Sequence, residues 1–110
     1  MQALFHDARY QGLYGTSAQG VKKTKGLQPN ENPFDRMGAL ELSANDFQMN
    51  LAAETLRQER VKGESNAIRK NKEIAEKVRK TMIDSGSRPP EELPVDEPIN
   101  QVRKRVKQHQ

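Results

Sequence analysis

The sequence predicts an all-α fold: a small helical domain built on a long α-hairpin, with shorter N-terminal helices and an extended C-terminal tail. Three observations lead there. Between Gly38 and Lys62, the residues Leu40, Ala44, Phe47 and Leu51 recur at steps of four, three and four, and Leu42, Met49, Ala53 and Leu56 widen that surface. Steps of three and four line up side chains on one flank of a helix, and a broad apolar flank calls for burial against other helices. From Ser65 to Ser85 the pattern returns in Ala67, Ile68, Asn71, Ile74, Val78 and Met82, with the reversal supplied by Val61, Lys62 and Gly63.

The elements follow in order. Gln2 to Tyr14 carries Ala3, Leu4, Phe5, Ala8, Leu13 and Tyr14, and reads as a helix that starts abruptly, as in a piece of something larger; Gly15 is placed to end it. Thr16 or Ser17 is expected to cap a short helix anchored by Val21 and stopped at Gly26. Two short helices around a glycine turn also fit a helix-turn-helix, although ordinary helical corners have the same pattern. Gln28 to Pro33 is turn-rich, Asp35 is expected to cap one turn, and Gly38 to open the first long helix. Ser65 is expected to cap the second, supported by the i,i+4 pairs Glu73–Lys77 and Glu76–Lys80. Asn71 interrupts the apolar stripe, so burial would oblige its amide to find partners on the first long helix or a loop. Gly86 and the pair Pro89-Pro90 end the helix. Residues 1–86 are thus expected to form the helical domain. Residues 87–110 are expected to form an acidic, proline-containing connector, pinned by Leu93 and Val95, and then a basic amphipathic tail with Ile99, Val102 and Val106.

Composition narrows the classes of function. Of 110 residues, 33% are apolar and 31% charged, enough for one small core but leaving surface for a partner. No run is long and apolar enough to span a bilayer, and no membrane role is expected. Cysteine is absent, which removes thiol and disulfide chemistry and fits a cytoplasmic protein. Charge is unevenly distributed: residues 57–80 hold nine Lys or Arg against four acids, and residues 99–110 four cations and no acid. Such blocks can steer an anionic partner or merely form solvated helical faces. The candidates for phosphate contact are Arg69, Lys70, Lys77, Arg79 and Lys80, with Arg103, Lys104, Arg105 and Lys107 in the tail.

Catalytic chemistry finds little footing. His6 and His109 stand near opposite ends without metal-ligand spacing, and Glu91-Glu92 reads as a negative surface patch. No phosphate-cradling glycine motif is present, so no catalytic residue, metal or cofactor is expected. Phe5, Tyr10, Tyr14, Phe34 and Phe47 fall mostly at packing positions, which leaves no aromatic platform for stacking bases.

Several segments together resemble a known family. Tyr10-Gln11-Gly12-Leu13-Tyr14-Gly15, Lys25-Gly26-Leu27, and Asp35-Arg36-Met37-Gly38 followed by Glu41-Leu42 are similar in order and spacing to the C-terminal part of the bacterial DNA-damage-inducible protein D family. Asn45, Phe47, the run from Lys77 to Met82, and Pro90-Glu91-Glu92-Leu93-Pro94 extend the resemblance over roughly residues 2 to 95. It implies a preceding domain similar to Bro-type antirepressors, cytoplasmic location, induction in the DNA-damage (SOS) response, and a role on DNA or on proteins acting there. It carries over no catalytic residues. The family pattern commonly places Arg after the phenylalanine and His further on, where this chain has Gln48 and Asn71. The leading expectation is a non-enzymatic accessory domain working through protein contacts, with a DNA-repair protein or DNA as partner. The alternatives are direct, non-sequence-specific DNA binding or homo-oligomerisation within an antirepressor-like regulator, and a purely structural helical domain.

Overall fold

A computed structural model describes residues 2–96, and in it the fold is all-α, as the sequence predicts. Helix α1 (Gln2–Tyr14) leads through Gly15, at φ 77°, to α2 (Ala18–Lys25), and a 3-10 turn (Pro33–Arg36) precedes α3 (Ala39–Gln58). Arg60 and Gly63 take positive φ in the reversal to α4 (Glu64–Asp84), after which a second 3-10 turn spans Pro90–Glu92. Among the described residues the only β pairing is a single antiparallel bridge between Met37 and Val95.

Local chemistry accounts for most boundaries. The Ser17 side chain accepts from Gly20 N–H at the start of α2, and Gly26, at φ 72°, closes it with its N–H on the Lys22 and Lys23 carbonyls. Two expected caps differ. The first 3-10 turn is capped by Asn32, whose side chain accepts from Phe34 N–H, with Pro33 preset for the first helical position, so Asp35 falls inside the turn. Helix α4 begins two residues earlier than a Ser65 cap implies, from Gly63 at φ 88°, a conformation that suits glycine.

The main packing partner of α4 is α1 rather than its hairpin neighbour α3. The two helices run in the same sense: the Phe5 carbonyl meets Asn71, Gly12 meets Ala75, and the Leu13 carbonyl meets Arg79. Gly12 is the point of closest approach. A Cβ built there would lie 2.5 Å from the Lys72 carbonyl oxygen and 2.6 Å from Ala75 Cβ. Glycine in a helix interior costs about 1 kcal/mol relative to alanine. Here it permits the crossing that buries Leu13, Tyr14, Ala75, Val78 and Met82 in one core, with Tyr10, Val21, Met37 and Ala44.

Residues 87–96 fold back over this core. Pro90 is buried, Leu93 packs against the cluster, and Asp96 N–H donates to the Arg36 carbonyl at 2.8 Å. The tail cluster Arg103, Lys104, Arg105 and Lys107 lies outside the described residues.

The largest departure concerns α3. Its buried residues are Glu41, Ala44, Asn45, Gln48 and Ala52, whereas Leu40, Phe47 and Leu51 are exposed at 52%, 59% and 36%. Glu41, Asn45, Gln48 and Ala52 keep the rhythm of four, three and four, shifted by one residue. One residue is about 100° of helical rotation. Apart from Ala44, the flank that the apolar pattern assigns to the interior therefore faces outward.

Candidate functional site

Two features define the working part of the molecule: a buried polar seam that sets how α3 lies on α1 and α4, and the apolar groove left open as a result. Glu41 is the hub of the seam. It accepts from Lys25 Nζ at 2.9 Å and from the Tyr14 hydroxyl, with the Lys25 and Glu41 side chains 5% and 3% exposed. Lys25 also donates to the Leu93 carbonyl, which fixes the chain after α4 to the end of α2. Asn45, one turn along α3, donates through Nδ2 to the Tyr14 hydroxyl oxygen and to the Glu41 carbonyl, both at 2.9 Å. Its Oδ1 accepts from Arg9 Nη1 at 2.5 Å, and the Arg9 guanidinium lies 4.4 Å from the Tyr10 ring centroid and 5.5 Å from that of Phe34. Burial, then the hydrogen bond and charge of Glu41, push the Tyr14 phenol far above its ordinary pKa; burial also raises that of Tyr10, against the pull of Arg9.

The seam continues to α4. Gln48 Nε2 donates to Asn71 Oδ1 at 2.8 Å, and Asn71 Nδ2 donates to the Phe5 carbonyl at 3.1 Å. The partner expected for a buried Asn71 on the first long helix is thus found on α3, and a second, the Phe5 carbonyl, comes from α1 rather than a loop. Gln48 and Asn71, the two positions read from the sequence as departures from the resemblance, are hydrogen-bonded to each other.

Because polar residues turn α3 inward, its apolar ridge is left outside. Leu40, Ala44, Phe47 and Leu51 form one wall of a groove of about 560 Å³, and Lys77, Val78, Thr81 and Met82 of α4 form the other. Lys77 is the sole charged residue of the lining. Although Glu73 stands one turn before it, neither Glu73–Lys77 nor Glu76–Lys80 forms; Lys80 pairs with Asp84 at 2.6 Å instead.

The other cations singled out by sequence fall in separate places. Arg69 donates to Asn66 at 2.8 Å and Lys70 pairs with Glu59 at 3.1 Å, both beside a hollow near the start of α4. Arg79 is committed elsewhere. It makes a two-pronged pair with Glu91 at 2.6 and 2.8 Å and also donates to the Leu13 carbonyl at 3.1 Å. The hydrogen bond and charge of Glu91 raise its pKa against burial. Glu91 therefore belongs to a tie between the second 3-10 turn and α4 rather than to a free acidic patch. The α1–α2 corner, whose pattern fits either a helix-turn-helix or an ordinary packed corner, is likewise occupied inward, with Val21 in the core and Lys25 on Glu41.

Among the described residues no group of three or more His, Asp or Glu is placed to hold a metal ion, and no helix is long and apolar enough to cross a membrane. Reasoning from sequence missed the seam because Lys25, Glu41 and Asn45 are polar types that ordinarily face water. The available signal was their spacing: Glu41, Asn45 and Gln48 repeat the helical period in polar residues.

Residues 2–102 match the family described as the DinD C-terminal domain. The chain belongs to this family. It is 36% identical over 107 residues to DNA damage-inducible protein D of Escherichia coli (strain K12), covering 96% of this chain and 39% of that relative. The chain thus spans about two fifths of the curated relative, and no solved structure matches it. The resemblance expected from the sequence holds. The fold gives its residues physical roles: in this DinD C-terminal domain Gly12 makes the helix crossing, Tyr14, Lys25, Glu41 and Asn45 build the seam, and Arg79 and Glu91 close the chain over the core. Phe47, which also carries the resemblance, stands on the open ridge.

Proposed function

We propose that this DinD C-terminal domain is a non-enzymatic interaction module of a bacterial DNA-damage-response protein, acting through protein contacts made in the α3–α4 groove. The observation that carries this reading is the exposed ridge of Leu40, Phe47 and Leu51. Large apolar side chains in one exposed row are unfavourable in water and typical of contact surfaces. The buried polar groups support it from the other side, since their hydrogen bonds orient α3 and keep the ridge outward. DNA contact is supported less well, because Lys70, Arg79 and Lys80 are already paired with acids and would have to exchange them for phosphate.

The reading is tested by placing a photo-crosslinking side chain at Phe47, and separately at Lys72 on the solvent face, in cells exposed to a DNA-damaging agent. A defined protein adduct from position 47 that is absent from position 72 is the expected result. Equal labelling from both positions, or none from position 47, would overturn it.

A further inference from the structure

We infer that the groove takes an amphipathic helix of another protein whose apolar ridge seats between α3 and α4 and whose flank presents a carboxylate to Lys77 Nζ. This rests on the interaction reading above and adds the chemical class of the partner. Shape is the first argument. The ridge from Leu40 to Leu51 rises about 16 Å, or three helical turns. Both walls are helices, so the groove offers no sheet edge to a strand, and helix-in-groove docking uses anchors at this spacing.

Charge decides between occupants. Lys70, Arg79 and Lys80 each meet an acid on this chain, whereas among the described residues the exposed Lys77 amine has none, and the rest of the lining is neutral. Asp46 does not compensate it, since it lies one residue, about 100°, around α3 from Phe47 and outside the groove. A cation at the rim of an apolar trough favours a carboxylate there. Residues 99–110 of this chain carry four cations and no acid, the wrong sign for Lys77. A second copy's groove would bring another lysine and no carboxylate from its lining. Nucleic acid would set phosphates against leucine and phenylalanine.

The test uses the full chain, isotope-labelled for NMR, and two synthetic helical peptides with the same leucine ridge, one flanked by glutamates and the other by lysines. The acidic peptide is expected to shift amides of Leu40, Phe47, Leu51, Val78 and Met82. It should bind roughly fivefold tighter than the basic one, the scale of a solvent-screened ion pair. Lys77→Glu should reverse the preference, a gain of binding to the basic peptide that misfolding cannot imitate, and Phe47→Ser should weaken both. If both peptides bind the groove equally and Lys77→Glu changes nothing, the acidic class is wrong while the contact surface stands. If neither peptide binds, both readings fall. Mass that doubles with concentration and reverts in Phe47→Ser would assign the groove to a second copy. Groove amides that move in a chain carrying Ile99→Ser and Val106→Ser would assign it to the tail. Either result overturns the inference.

Discussion

Gln48 and Asn71 are joined side chain to side chain at 2.8 Å, both buried, where α3 passes over α4. Neither can lose its partner without leaving a buried amide short of a hydrogen bond, which costs about 1–3 kcal/mol. Gln48→Leu and Asn71→Leu should each destabilise the chain by that order. The double variant should lose less than the sum, with a coupling of about 0.5–3 kcal/mol in urea unfolding. Strict additivity would show that the bond does not form.

Gly12 invites a substitution that helix propensity alone would favour. In an isolated helix Gly12→Ala gains about 1 kcal/mol. Here the new methyl group meets a backbone carbonyl at 2.5 Å and Ala75 at 2.6 Å. The helices must move apart, and overpacking of this kind costs about 1–3 kcal/mol. A lowered urea midpoint is expected; a raised one would contradict the close crossing.

The Lys25–Glu41 pair is buried, so removing one member strands the other. Glu41→Ala should cost about 3–5 kcal/mol, since it leaves the Lys25 ammonium without its counter-charge. Glu41→Ala also takes the acceptor from the Tyr14 hydroxyl, whereas Lys25→Met leaves Glu41 its bond from Tyr14 and should cost less. Equal, small losses in thermal unfolding would show that the pair is solvated.

Glu91 gives the domain an acid-sensitive tie. Burial raises its carboxyl pKa, but the hydrogen bonds and charge of Arg79 outweigh this and hold it below the usual carboxylate range. A depressed folded pKa stabilises the fold above the unfolded value of about 4.3, and that contribution is lost as pH falls through the folded value. Glu91→Gln should therefore lower stability near neutral pH by about 0.2–1 kcal/mol, as for a solvent-screened pair. It should also flatten the decline below about pH 4. An unchanged acid limb would separate Glu91 from it.

The fold class, the approximate places of the four α-helices and the first 3-10 turn, and the packing of Ile74, Val78 and Met82 were legible in the sequence because these follow from apolar period and turn chemistry; the turn at Pro90–Glu92, in a stretch read as an extended connector, was not. The orientation of α3 was not. Its two stripes share one rhythm: Leu40, Phe47 and Leu51 stand outside, with Ala44 buried where their stripe meets the core, and Glu41-Asn45-Gln48-Ala52 lies inside, so hydrophobicity favours the wrong one. What reverses the choice is a set of tertiary partners, Arg9, Tyr14, Lys25 and Asn71, supplied by three other helices. A polar stripe buries only when all of them arrive together, and no local window contains them. The same limit hid the surface: the groove is read as core until the seam is seen.

Whether the ridge of α3 serves folding or contact is tested most directly by the unfolding free energy of Phe47→Ser. A side chain that faces water contributes little to the fold, and a change within about 0.5 kcal/mol of the parent chain is expected. A loss of about 3–5 kcal/mol, the scale of truncating a core phenylalanine, would contradict the account and return that flank to the interior.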